Sequence, residues 1–177
     1  MYKLLLNEQI YEELVLQRIP LSRQYLWIVT ADIKDMYVHL NGSYAPFLEL
    51  LAELVSKGVA VRLIHAKEPG PRFREDFDQY DELVNSELFE RVLCPRVHTK
   101  AVVIDNAIAF AGSANLTGAG MGGKHTDKRN FEAGFLFDDT DDIAKLVTWI
   151  DQLYLGEFCR SCKRRDFCPD PIDEYYA

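Results

Sequence analysis

No apolar stretch in this chain approaches the ~18 consecutive residues of a membrane-spanning helix. The N-terminus, Met1 to Glu8, is too short and turns acidic too soon for a signal peptide, so the expected compartment is the cytoplasm. No internal repeat is present. Positive charge is in the minority, 20 Lys and Arg against 28 Asp and Glu, for a formal net charge of −8. That balance excludes a protein that coats nucleic acid through its overall charge. It leaves room for a local basic cleft, because Arg62, Arg72, Arg74, Arg91, Arg96, Lys124, Lys128 and Arg129 are spread through the middle of the chain. Histidine and cysteine are scarce at four each: His39, His65, His98 and His125, and Cys94, Cys159, Cys162 and Cys168.

What is present is enough for one core. A chain of 177 residues that is 48% hydrophobic buries a substantial interior and leaves little for a second domain. The apolar periodicity predicts a helix capped by Asn7 and running through Gln17, then a strand over Tyr25 to Ala31, a helix over Tyr44 to Lys57 and a strand over Val59 to His65. A Pro- and Gly-containing loop over Ala66 to Arg72 precedes a polar helix over Phe73 to Leu83. Strands follow over Phe89 to Leu93, Val97 to Ile104, Ala107 to Ala111 and Phe131 to Phe137, with a last helix over Thr140 to Tyr154. This order predicts an α/β protein, a layered α/β/α arrangement around a mixed, largely parallel central sheet. Residues 1–155 form the expected catalytic domain and 156–177 a cysteine-containing tail.

The segment VHTKAVVIDNAIAFAGSANLT carries the chemistry. His98 and Lys100 lie two residues apart on an expected strand, so imidazole and ammonium share a face. A nucleophile or proton carrier beside a fixed positive charge is what attack on a phosphodiester needs. Asp105 falls in the turn to the return strand. Gly112, Ser113 and Asn115 then supply a hydroxyl, an amide and open backbone N–H groups for anionic oxygens.

At these residues the chain resembles the phospholipase D superfamily, whose signature H-x-K-x4-D-x6-G-S-x-N is matched by His98, Lys100, Asp105, Gly112, Ser113 and Asn115. The likeness extends over about residues 22–155, and the segment Arg129 to Phe135 resembles the strand that carries the family's late acidic residue, here Glu132. Many members carry two copies of the motif, whereas this chain carries one, with a Gly-rich insertion from Gly118 to Lys124 ahead of Glu132. The resemblance implies a phosphodiesterase that needs no catalytic metal. One His forms a phosphohistidine and the His of a second motif copy protonates the leaving oxygen. None of the other three histidines sits in such a motif, so the second His must come from another chain, and a symmetric homodimer supplies it. Lys100, Ser113 and Asn115 would hold the non-bridging oxygens, and Glu132 the far imidazole nitrogen. Asp105 is as well placed for a structural role as for a catalytic one.

Short single-motif members are typically dimeric nucleases, which points to DNA or RNA as substrate. A phospholipid or small phosphodiester hydrolase or transferase is the enzymatic alternative, and a non-catalytic nucleic-acid-binding module the third. The absence of a hydrophobic anchor or basic amphipathic helix counts against lipid. Gly118 to Gly123 matches G-x-G-x-x-G literally but lacks the strand before and the apolar helix after, and reads instead as a flexible flap. His39 and His65 read as satisfied, partly buried histidines and His125 as exposed. Cys159, Cys162 and Cys168 form C-x2-C-x5-C in a polar tail, with Cys94 as the fourth thiol. That set reads as a structural zinc site, with an iron–sulfur cluster as the rival and unligated thiols as the remaining possibility.

Overall fold

Two largely apolar runs, Tyr25–Thr30 and Ala60–His65, pair in parallel in the central sheet, from Tyr25 opposite Ala60 to Thr30 opposite His65. Runs this apolar suit strands covered on both faces. The computed structural model describes residues 1–40 and 42–172. Its elements are β1 (Tyr2–Leu6), α1 (Glu8–Ile10, continued as a π-wound turn over Tyr11–Leu16), β2 (Tyr25–Thr30), β3 (Tyr37–Leu40), β4 (Ser43–Pro46), α2 (Phe47–Ser56) and β5 (Ala60–His65). Then come α3 (Pro71–Phe77), α4 (Asp81–Val84), β6 (Phe89–Leu93), β7 (Lys100–Ile104), β8 (Ile108–Gly112), β9 (Ala133–Phe137) and α5 (Thr140–Tyr154).

Seven strands make the central sheet in the order β1-β9-β8-β7-β2-β5-β6, and β3 with β4 forms a separate hairpin. The sheet is mixed, as expected. Its parallel neighbours are confined to β2, β5 and β6, while β7, β8, β9 and β1 join antiparallel. Period-two alternation sends Ile28, Leu63, Val102 and Leu136 to one face, where α2, α4 and the α1 segment close the larger core. Val29, Ile64, Val103 and Phe137 point to the other face, under Ile143 and Ile150 of α5. Burying such a side chain contributes about 1.5–3 kcal/mol. Helix α5 starts where Asp139 caps it by accepting the Asp142 N–H at 3.0 Å.

Several elements depart from the sequence expectations. Strand β1 was not expected at all. Asn7 does not cap a helix: at φ 51° its side chain makes no cap hydrogen bond. The helix expected from Tyr44 starts at Phe47, because Ser43–Pro46 pairs with Tyr37–Leu40. The polar helix expected over Phe73 to Leu83 is two short helices, α3 and α4. The tail past α5 is built of turns with one 3-10 turn at Arg165–Phe167, and it is tied to β6 where the Leu93 N–H donates to Asp170 at 3.1 Å.

Candidate active site

His98, Lys100, Gly112, Ser113 and Asn115 gather at one end of the inner strands, outside the carboxyl ends of β2 and β5, where open α/β sheets place ligands. A turn at Cys94–Val97 carries the chain from β6 to β7, held by the Cys94 N–H donating to His65 O at 2.8 Å and the Val97 N–H to Cys94 O at 2.9 Å. Val97 is buried and His98 exposed, so the imidazole stands at the mouth just ahead of β7 rather than within it. Lys100, the first residue of β7, is 7% exposed. Its ammonium donates to His98 O at 2.6 Å and lies 3.3 Å from His98 Nδ1. A cation almost withdrawn from water acts on an incoming anion with little screening.

Lys100 pairs with Gly112, which pairs in turn with Gly134 of β9. A Cβ on Gly112 would lie 2.6 Å from Ala133 O and 2.9 Å from the Phe110 ring, so only glycine admits this approach. The next residue, Ser113, is thereby fixed: its N–H donates to Ala133 O at 2.9 Å and its hydroxyl to Glu132 Oε2. Asn115 is locked through Oδ1, which accepts from the Asp32 N–H at 3.0 Å and from Thr30 Oγ1 at 3.4 Å. With the oxygen so occupied, the Asn115 Nδ2 is the atom left to donate to a phosphate oxygen.

Glu132 is partly buried, with Oε1 accepting from Asn130 Nδ2 at 3.1 Å. Its backbone is clamped by Asn7, whose Oδ1 accepts the Glu132 N–H at 3.1 Å and whose N–H donates to Glu132 O at 2.9 Å. Among the described residues of its own chain it does not bond to His98. Asn7 is the site residue that sequence reasoning missed, because its spacing before α1 looked like a cap. Asp105 is not brought to the site. It stands at the opposite end of β7, roughly 16 Å along the strand from Lys100 at about 3.3 Å per residue. There its carboxylate accepts the N–H groups of Arg23, Gln24 and Tyr25 at 2.9, 2.8 and 3.0 Å, and so fixes the start of β2. Its role is structural.

The Gly-rich insertion is not a flexible flap. Met121 is 2% exposed in the larger core, and Gly120 packs so closely on Asn115 that a Cβ would lie 2.5 Å from Asn115 O. The loop thus buttresses Asn115 from behind, and no helix follows it that would make a nucleotide cradle. His65 is fully buried, with Nδ1 donating to Lys67 O and Nε2 accepting from Arg91 Nε, each at 2.8 Å. Burial, with the Arg91 cation adding to it, pushes its pKa down to about 4, so the ring is neutral. His39 is exposed rather than partly buried, its ring tilted against that of Tyr44 at 4.8 Å, and exposed His125 pairs with Asp127 at 2.6 Å.

Cys94 lies near the thiols of the tail. Cys94, Cys159 and Cys162 line one cavity of about 180 Å³ with His98, and the Cys168 thiol lies 4.0 Å from Leu93 O. Among the described residues, however, no three Cys, His, Asp or Glu side chains stand as a metal-holding group, so the expected zinc or iron–sulfur site finds no support. Local partners engage the thiols instead. Backbone N–H groups of Arg96 and Val97 meet Cys94, and the Arg164 N–H meets Cys162.

The basic cleft is smaller than the sequence implied. Arg62 is spent on α5, stacked 4.4 Å from Trp27 and 3.7 Å from Tyr154 and paired with Glu90 and Asp151 at 2.7 and 2.6 Å. Arg91 serves His65, Arg74 pairs with Glu68 at 3.7 Å, and Arg129 with Glu8 at 3.5 Å. Arg72, Arg96, Lys124 and Lys128 form no ion pair among the described residues.

Comparison with known proteins agrees with this geometry. A family model described as cardiolipin synthase, PLD-like domain, matches residues 15–154. The fold is similar to that of NucT from Helicobacter pylori, at TM-score 0.62 and 16% identity over 86% of this chain and 95% of that one. It is also similar to Nuc from Salmonella typhimurium, a phospholipase D family member, at TM-score 0.58 and 13% identity with the same 86% and 95% coverage. A third likeness is to TrmBL2, an archaeal chromatin protein with a novel mode of DNA binding, at TM-score 0.58 and 11% identity over 86% of this chain and 52% of that one. A search by sequence among curated proteins found no significant match.

Proposed function

This chain belongs to the phospholipase D-like phosphodiesterase family, and we propose that within it the protein is a nuclease that works as a homodimer through a phosphohistidine intermediate. The observation that carries this reading is the gathering of His98, Lys100, Ser113 and Asn115 at one end of the inner strands, with Lys100 against the His98 ring.

In the first step His98 Nε2 attacks phosphorus. The P–O bond to the leaving oxygen breaks, and an imidazolium, His98 of a second copy, gives that oxygen its proton. In the second step the same imidazole, now neutral, takes a proton from water as the water oxygen attacks phosphorus and the P–N bond breaks. Lys100 and the Asn115 Nδ2 bind the non-bridging oxygens and offset the charge that builds on them. Since His98 supplies the nucleophile and Lys100 the charge, no step needs a divalent metal.

The second copy is favoured by two features. Glu132 makes no bond to His98 of its own chain, which leaves its carboxylate for the imidazole of a second copy. Beside it, Leu4, Leu6, Phe135 and the 97% exposed Phe131 form an apolar strip of the kind that soluble chains cover by association. Nucleic acid is favoured over lipid by the cations Arg72, Lys124 and Lys128, which form no ion pair among the described residues. No helix among the described residues is long and apolar enough to cross a membrane.

The test is a panel of labelled single- and double-stranded DNA, RNA and phosphatidyl lipids, in chelator, with wild type and His98→Asn. Cleavage of a nucleic acid in chelator, lost in the variant, is the expected result. Cleavage of lipid alone, or strict dependence on added magnesium, overturns the reading.

A further inference from the structure

A large groove adjoins the motif residues and is used by none of them. It has a volume of about 770 Å³ and lies between the segment leaving β2, with Asp32, Lys34 and Tyr37, and the segment leaving β5, with Lys67, Arg72 and Tyr80. Asp32 joins it to the phosphate site, because its N–H is the group that holds Asn115 Oδ1. The volume lies within the ~300–1,000 Å³ of small-ligand sites.

Its charge is less balanced than its composition suggests. Asp32 is met by Lys67 at 3.7 Å, and Glu68 by Arg74 at 3.7 Å. Asp35 is occupied by the N–H groups of Met36 and Leu48, at 3.0 and 3.3 Å. Lys34 and Arg72 have no carboxylate partner among the described residues, so their charge is open to a ligand, while Asp76 remains as an acceptor. Tyr37 is 59% exposed and turns an aromatic surface to the groove. A second cavity of about 240 Å³ shares Lys34, Asp35 and Tyr37 and continues to Gly118 and Lys124. The two together make a track, with cations at Arg72, Lys34 and Lys124 and a ring at Tyr37 between them.

Cations that follow a backbone, interleaved with rings on which bases stack, are the chemistry of single-stranded nucleic-acid binding. A duplex keeps its bases stacked inside and would have to flip one out, at a few kcal/mol, to reach Tyr37. We propose that this groove holds the single-stranded nucleotides that flank the scissile phosphate, with a base on Tyr37 and the phosphates on Lys34, Arg72 and Lys124. The proposal rests on the nuclease reading of the site and assigns its substrate class.

The experiment measures binding separately from chemistry. In the His98→Asn protein, fluorescence anisotropy would report affinity for a labelled single-stranded 12-mer, as DNA and as RNA, and for the matching duplex. Single strands should bind at least tenfold more tightly than the duplex. Adding Lys34→Glu with Arg72→Glu should cut single-strand affinity at least tenfold, and Tyr37→Ala about fivefold or more, the scale of one stacked base. Thermal melting and circular dichroism would establish that each variant is folded. Equal affinity for single strand and duplex, or single-strand affinity unchanged in folded variants, overturns the proposal. Turnover of a small chromogenic phosphodiester by the wild type tests the site alone. Its absence, with groove-dependent single-strand binding intact, would sink the nuclease reading and leave the groove as a binding site.

Discussion

Asn7 and Glu132, far apart in sequence, exchange two hydrogen bonds that fix the late acidic residue of the site to the end of β1. The Asn7 N–H donates to Glu132 O, and the Asn7 Oδ1 accepts the Glu132 N–H. At φ 51° and ψ −120° Asn7 holds a positive-φ conformation that glycine adopts most readily.

Asn7 is therefore a positioning residue. Asn7→Gly keeps the backbone conformation and removes the side-chain acceptor, a loss of about 1–2 kcal/mol of orientation. The kcat for phosphodiester cleavage should fall roughly 5- to 30-fold by that energy, with KM for the same substrate little changed. A purely structural role would lower the melting temperature and leave kcat of the folded protein untouched.

His65 gives stability a pH dependence of known sign. The ring is neutral in the fold down to about pH 4, against an ordinary value of 6.5. Between those two values the unfolded chain binds a proton that the native state does not, so stability falls as pH is lowered through that window. The full cost is on the order of 3 kcal/mol from the 1.36 kcal/mol per pKa unit. Denaturant melts from pH 7 to pH 4 should show this slope, and His65→Gln should flatten it even if it starts from a lower stability.

The two sides of the thiol cavity should react differently. The Arg164 N–H and the Arg96 guanidinium hold the Cys162 thiol below the usual range, while burial pushes Cys94 up. Iodoacetamide near neutral pH should label Cys162 well before Cys94, as read by peptide mass spectrometry. Equal rates would mean that these environments are not the ones that matter in solution.

A shared site predicts dominance of the inactive subunit. Mixing wild type with excess His98→Ala protein and allowing subunits to exchange should lower activity per wild-type chain toward zero, because most wild-type chains then sit in heterodimers with one imidazole. Dilution into the monomer range should do the same to wild type alone. Full activity in a monomer shown by sedimentation would rule the shared site out.

Much of this fold could be read from the sequence where one physical signal dominated. The helix expected over Thr140 to Tyr154 is α5 with the same bounds, since its cap and apolar stripe agree. The apolar runs of β2 and β5 were equally plain. Strand β1 was missed because an edge strand needs only one buried residue in five, here Leu5, and its Tyr-Lys-Leu-Leu-Leu has no alternation to recognise. The β3–β4 hairpin hid in the same way, and Tyr44 was absorbed into the helix that follows. Of the motif, His98, Lys100, Ser113 and Asn115 are brought together as their spacing suggested. That Asp105 is structural was not legible, because the partners that decide it, Arg23 to Tyr25, are some 80 residues away in sequence. The thiols are a different case, because the structure lends their expected metal site no support. Their spacing resembled a ligand set, but spacing carries no information on where each sulfur points.

The central claim is that His98 attacks phosphorus, and it is tested most directly by trapping the intermediate. The protein would be mixed with a phosphodiester substrate in chelator, quenched within the turnover time, and its peptides analysed by mass spectrometry under alkaline conditions. The account predicts an acid-labile adduct on His98, absent from His98→Asn and present without any divalent metal. An active wild type with no adduct at His98, or with one on a different residue, would contradict it.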